Sequence, residues 1–292
     1  MTPEAGGDFA TLASAACPGF VAVGPPRRAR KSELLDGELA GAPVIAKRLR
    51  KPSAVWAWYQ QRELAMYDAF AAEPPPVRVP RCYGATADVL VIERFVGAPL
   101  ATKRRPRAIL PAQTITSLVA SHDRLAAWRG TVPALPPTPA VRSQLRERLL
   151  EDPTAPVEWV RGGIVRGAAR GLVASQVAEH VAELVANEPV AFSHGDLLLR
   201  NAIDTGDEIA LVDWECAGLH LRDWDLALLW TQLAPEARGA LAEHARRPAF
   251  AALVVFALVR ELRFLRAFGV ADGAREMQRT RTELADAIAM LT

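Results

Sequence analysis

The stretch Phe192-Ser193-His194-Gly195-Asp196-Leu197-Leu198-Leu199-Arg200-Asn201, followed by Ile209-Ala210-Leu211-Val212-Asp213-Trp214-Glu215, decides how this chain reads. An apolar run, Pro189 to Phe192, ends in His-Gly-Asp, and an amide side chain follows five positions after the Asp. A turn-rich gap, Asp204-Thr205-Gly206-Asp207, then leads to a second apolar run that ends in another Asp. This pattern predicts two short strands that present Asp196, Asn201 and Asp213 at one end. Two carboxylates and an amide converging on one spot suit a hard divalent cation, because Mg²⁺ takes oxygen ligands and keeps only one or two protein carboxylates beside substrate phosphates. The remaining carboxylate is free to accept a proton. A lone Asp at a strand end more often caps a turn; the ordered set and its spacing are what point to chemistry.

His194-x-Asp196-x4-Asn201 is similar to the catalytic loop of the protein-kinase-like fold, and Val212-Asp213-Trp214-Glu215 resembles the metal-binding Asp segment of its small-molecule branch. The Gly of His194-Gly195-Asp196, where protein kinases usually carry Arg, and the later Asp223-Trp224-Asp225-Leu226-Ala227 resemble the aminoglycoside phosphotransferase and choline kinase group. The resemblance implies an α+β, two-lobed protein-kinase-like fold. Residues 1–96 would form a small antiparallel β-sheet lobe with one helix that binds nucleotide and ends in a hinge; residues 97–292 would form a larger, mainly helical lobe for catalysis and acceptor binding. It further implies Asp196 as the catalytic base, Asn201 and Asp213 as Mg²⁺ ligands, and ATP or GTP as donor. His194 and Asp225 would support the catalytic loop. Glu215 either touches a metal-bound water or caps the turn that follows.

In the amino-terminal half, a short helix over Phe9 to Ala16 precedes Phe20-Val21-Ala22-Val23, Ser32 to Leu39 and Pro43 to Leu49, which turn signals divide into an antiparallel meander with Lys47 on its third strand. Trp56, Tyr59, Glu63, Met66, Tyr67 and Phe70 then recur at helical spacing, so Glu63 shares the side of an aromatic stripe that must be buried. A carboxylate there needs a cationic partner, and Lys47 is the candidate; the plainer alternative is an exposed Glu63 paired with Arg62. The resemblance makes Lys47 the strand lysine that contacts the α/β-phosphates. Arg81 to Leu100 reads as a hairpin running into a Gly/Pro breaker. By position in the family, Glu93 and Phe95 are the hinge residues whose backbone groups meet the adenine edge. One departure stands out. Between Val23 and Leu34 the only glycine is Gly24, and Arg27, Arg28, Arg30 and Lys31 stand where a Gly-rich loop would offer backbone N–H groups to phosphate.

The 292 residues, 50% hydrophobic, suffice for a sizeable core in one large or one two-lobed domain. A net charge of +2 gives no whole-molecule argument for nucleic acid or an acidic membrane surface as partner. Three widely spaced cysteines, Cys17, Cys82 and Cys216, argue against a disulfide framework and for a cytoplasmic setting. The N-terminus lacks the charge and apolar run of a secretion signal, and the longest apolar block, Pro248 to Val259, is far short of the ~20 residues that cross a bilayer, so it reads as a buried helix.

The carboxyl-terminal half predicts helices over Gln113 to Trp128, Val141 to Leu150 and much of Ala234 to Leu291. Its arginine surplus sits poorly with a polycationic acceptor, which would call for a carboxylate-lined pocket. Only nine residues separate Asp213 from Asp223, too few for the activation segment of a protein kinase, and the histidines lack zinc-ligand pairing. The sequence therefore predicts a kinase whose partners are a nucleoside triphosphate and a small-molecule hydroxyl acceptor. The alternative from another class is an inactive kinase-like nucleotide-binding module, which would be expected to lack at least one of Lys47, Asp196, Asn201 and Asp213.

Overall fold

A computed structural model describes residues 8–29, 31–50, 53–133, 155–268 and 273–291; the helix expected over Val141 to Leu150 lies outside them. The chain divides into two compact units. The described residues up to Pro99, a short piece beginning at Gly130, and Ala202–Cys216 form the first; Leu100–Arg129, the described residues up to Asn201 and those from Ala217 onward form the second.

In the first unit, strands β1 (Phe20–Ala22), β3 (Ser32–Leu39), β4 (Ala42–Leu49), β6 (Val89–Glu93) and β5 (Cys82–Ala85) lie side by side in that order, all antiparallel, and the two-residue β2 (Arg27–Arg28) pairs with β3. That small strand makes Lys47 a residue of the fourth strand in chain order rather than the third, although it keeps the third place along the sheet. β3 and β4 are joined by Ala40-Gly41, both with positive φ (50° and 80°), the left-handed pair that a tight two-residue hairpin needs and that glycine supplies at least cost.

Side chains alternate across a strand. Val44 and Ala46 of β4, with Val89 and Val91 of β6, therefore turn to one face, where Phe9 and Ala13 of helix α1 (Phe9–Ala16) close a core with Leu35 and Phe20. Lys47, of opposite parity, turns to the other face. Helix α2 (Ala54–Ala72) starts where the Ser53 side chain accepts a hydrogen bond from the Trp56 N–H, and it buries Val55, Trp58, Arg62, Glu63, Met66, Tyr67 and Phe70. Trp56 and Tyr59, expected in the buried stripe, are only half-buried, whereas Trp58 and Arg62 are inside.

The two apolar runs that flank the catalytic-loop-like stretch are strands, but not members of one sheet. β8 (Val190–Ser193) pairs with β11 (Gly218–Leu221) in the second unit, while β10 (Ile209–Leu211) pairs with β9 (Ala202–Asp204), and β9 with β7 (Ala98–Pro99), in the first. The strands that intervene or follow are two to four residues long, too short to show a period in sequence.

The second unit is mainly helical, with helices Ala112–Ala127, Pro156–Ala168, Ser175–Leu184, Trp224–Trp230, Pro248–Phe268 and Gly273–Ala289. Its core holds Phe250 to Val259, buried throughout, and Trp159, whose ring meets Trp224 and Phe256 edge-on at centroid distances of 4.8 and 5.1 Å.

Candidate functional site

In the first unit Lys47 Nζ lies 2.6 Å from Glu63 Oε2 and 2.7 Å from Asp213 Oδ1. A strand residue, a helix residue and a residue just past β10 thus meet at one ammonium. Glu63 is buried, its side chain only 1% exposed, so the pairing offsets a desolvation that would otherwise be severe. Burial alone would push Lys47 down; the Asp213, Glu63 and Glu215 carboxylates outweigh it and hold the amine well above its ordinary pKa. Lys47 is therefore a fixed cation.

Asp213 has φ of 67°, in the left-handed region that a side-chain-bearing residue adopts only when its surroundings enforce it. The enforcement is visible. Trp214, fully buried, donates Nε1–H to the Leu211 carbonyl at 2.9 Å and packs edge-on against Phe70, centroids 4.8 Å apart. The backbone is pinned on both sides of the turn, and Asp213 projects between.

Glu215 stands in the 3₁₀ turn Trp214–Cys216. Its carboxylate pairs with the Lys31 ammonium, and its carbonyl accepts from Arg62 Nε at 3.0 Å. Of the two roles left open for Glu215, the geometry adds a third, an ion pair. Burial, and then the Asp213 charge, raise the Glu215 carboxyl to about 7. Glu63, Asp213 and Glu215 bring one oxygen each within 4.8 Å of one another. All three carboxylates already meet ammonium groups, Glu63 and Asp213 that of Lys47 and Glu215 that of Lys31, so of the three it is Asp213, the residue expected to bind Mg²⁺, whose second oxygen bears on a hard cation.

The second unit holds the other half of the motif. His194 is buried and its Nδ1 accepts from the Asp196 N–H at 3.4 Å. Gly195 has φ of 80°, which explains glycine between these two residues. Asp225 accepts from the N–H groups of both His194 (2.8 Å) and Gly195 (3.0 Å), the contact the family resemblance implies for it. Trp224 Nε1 adds a bond to the Gly195 carbonyl at 2.9 Å. Asn201 Nδ2 donates to the Asp196 carbonyl at 2.9 Å, which leaves the oxygen end of that amide for a cation. Asp196 itself has its carboxylate 3.8 Å from Arg200, a loose pair.

Sequence reasoning missed Gln232. Its side chain is wholly buried; Oε1 accepts from the Leu199 N–H at 2.7 Å and Nε2 donates to the Leu197 carbonyl at 3.1 Å, bracketing the loop between Asp196 and Asn201. A single amide at the end of the apolar run Leu226 to Trp230 was the available signal. Arg62, also missed, keeps helical phase with Val55 and Trp58, and its guanidinium stacks over the Trp58 ring 4.8 Å from the centroid.

Glu93 and Phe95 lie apart from the Lys47 cluster in their bonding. The Glu93 carboxylate takes the Arg78 guanidinium and the Arg81 N–H (3.2 Å), and its own N–H donates to the Arg81 carbonyl at 2.8 Å. Arg78 also stacks 5.1 Å from the Phe95 ring centroid.

Residues 30–268 match the sequence pattern described as the phosphotransferase enzyme family. The chain belongs to that family. This phosphotransferase also shares its fold with solved structures of low sequence identity. A macrolide 2′-phosphotransferase from Brachybacterium faecium is 17% identical, with 94% of this chain and 97% of that one covered and a TM-score of 0.60. Choline kinase from Cryptosporidium parvum is 11% identical, with 96% and 94% covered and a TM-score of 0.57. An aminoglycoside phosphotransferase in ternary complex with ADP and hygromycin B is 13% identical, with 97% of both chains covered and a TM-score of 0.57. No curated protein sequence matches the chain. The family establishes a phosphotransferase, and the fold is the kinase-like α+β fold of these structures. Among the described residues, no helix is long and apolar enough to cross a membrane.

Proposed function

We propose that this phosphotransferase moves the γ-phosphoryl group of ATP or GTP to a hydroxyl of an antibiotic, amino alcohol, sugar or metabolite. The observation that carries the reading is the double pairing of Lys47 with Glu63 and Asp213, which fixes one ammonium beside a carboxylate suited to a phosphate-bound cation. Residues 1–96 bind the nucleotide, with the backbone near Glu93 and Phe95 against the purine edge, and residues 97–292 carry the base and the acceptor site. Asp196 orients the acceptor hydroxyl and takes its proton as the oxygen attacks the γ-phosphorus; the bond to the β–γ bridging oxygen breaks and a nucleoside diphosphate leaves. Asn201 and Asp213 would hold Mg²⁺, which would supply charge neutralisation to the donor phosphates. Lys47 steadies the α/β-phosphates, and Glu63 keeps Lys47 in place. Asp225 and Gln232 hold the loop that carries Asp196 and Asn201, so positioning comes from buried hydrogen bonds. Free Cys17, Cys82 and Cys216 accord with a cytoplasmic location.

The test is nucleotide binding with and without Mg²⁺, followed by a panel of hydroxyl acceptors with detection of phosphorylated product. Mg²⁺-dependent binding with phosphoryl transfer is expected. Binding with neither transfer nor basal hydrolysis would favour the inactive module, and no binding of either nucleotide would overturn the reading.

A further inference from the structure

We propose that Lys31 is a second phosphate-binding cation of the donor site, working beside Lys47. The proposal rests on the nucleotide reading above. Lys31 belongs to the basic loop that replaces a Gly-rich one, and it departs from its neighbours in that loop. Arg27 turns to Asp36 at 2.9 Å and remains half exposed, and Arg28 is exposed. Lys31 instead turns inward, its side chain only 18% exposed, and its ammonium bonds Glu215, two positions from Asp213.

Three features make this more than a surface ion pair. The Trp56 and Tyr59 rings of α2 flank the ammonium at 5.8 and 5.9 Å from their centroids, so the charge is held by aromatic faces as well as by the carboxylate. Glu215 in turn brings a carboxylate oxygen within 4.8 Å of those of Asp213 and Glu63, the two partners of Lys47, so Lys31 and Lys47 serve one carboxylate cluster. Finally, β3 and β4 set Leu34 opposite Lys47, so the loop that ends at Lys31 is fixed to the strand that carries Lys47. With few backbone N–H groups freed by glycine in that loop, an inward lysine is the chemical substitute: a point charge with three donors.

The experiment uses the full chain and whichever of ATP and GTP the wild type binds. Dissociation constants are measured by calorimetry for the triphosphate, the diphosphate and the parent nucleoside, with Lys31→Met, Glu215→Gln and the double variant. Methionine keeps the length and the contact with Trp56 and Tyr59. The expected result is a loss of about tenfold to a hundredfold for the triphosphate, as for a lost hydrogen bond to a charged group, with nucleoside affinity within about twofold of wild type, and persistence of the triphosphate loss in the double variant. Equal losses for nucleoside and triphosphate, no loss, or full recovery in the double variant would each overturn the proposal, the last by showing that Lys31 only neutralises Glu215. Wild-type binding is the separate control: if the wild type binds neither nucleotide, the donor-site reading itself fails, and Lys31 with it.

Discussion

Lys47 Nζ and Asp213 Oδ1 lie 2.7 Å apart across 166 positions of sequence. The same ammonium reaches Glu63, so removing it would act twice: it would delete the cation proposed to meet phosphate and would strand a carboxylate that is 1% exposed. Lys47→Met is therefore expected to lose about 3 kcal/mol of stability, the cost of breaking a buried pair on one side, and to bind nucleoside triphosphate about tenfold or more weakly. Adding Glu63→Gln should restore most of the stability and none of the affinity. Chemical denaturation and calorimetry on the two variants check this; unchanged affinity in a folded Lys47→Met would place the lysine outside the phosphate site.

Gln232 holds the loop from both of its ends. Gln232→Leu leaves the Leu199 N–H without its acceptor in a buried position, and stability should fall by about 1–3 kcal/mol. Turnover should fall further than the unfolded fraction explains, because the segment between Asp196 and Asn201 loses its brace. Normal turnover per folded molecule would show that Asp225 alone suffices.

Asp225 gives a pH signature. Burial raises its carboxyl from 3.8 to about 6, against the opposing effects of His194 and of the two N–H bonds it accepts. A folded-state pKa above the unfolded one means stability present at low pH and lost as pH rises from about 3.8 through about 6. The advantage of the wild type over Asp225→Asn should accordingly be greatest near pH 4 and shrink toward pH 7. A difference independent of pH would mean that Asp225 is ionised throughout this range.

His122 runs the other way. Its ring is buried, with no hydrogen-bond partner at either nitrogen among the described residues, and burial, helped by His244, Arg222 and Arg247, lowers its pKa from 6.5 to about 3. Stability from the neutral ring is present above pH 6.5 and is lost as pH falls toward 3. His122→Leu should flatten that acid-side loss while changing stability little at pH 8. Equal acid sensitivity of the two proteins would indicate that another group governs the decline.

Much of the first unit was legible because two periods meet there: period two placed Lys47 away from the α1 core, and period 3.6 placed Glu63 on the buried side of α2. The same helix also shows the limit. Its apolar residues are spread so widely that the stripe could be drawn through Trp56 and Tyr59 or through Val55, Trp58 and Arg62, and the structure takes the second for burial. The inward turn of Lys31 left no trace, since a lysine in a basic loop reads as solvated until its partner, 184 positions away, is placed. Strand pairing around the motif was likewise hidden, because β9, β10 and β11 are three or four residues long and, although neighbours in sequence, the first two pair within the first unit and the third within the second.

The most direct test of the account is Asp196→Asn, with turnover, nucleotide affinity and melting temperature measured on one preparation. Asparagine keeps the shape and the backbone bonds to Leu198 and Asn201 while removing the proton acceptor. Turnover should fall by about 10²–10⁴-fold, the range for loss of a general base, with nucleotide affinity and melting temperature nearly unchanged. A stable, nucleotide-binding and fully active Asp196→Asn would contradict the assignment of Asp196 as the base and the mechanism built on it.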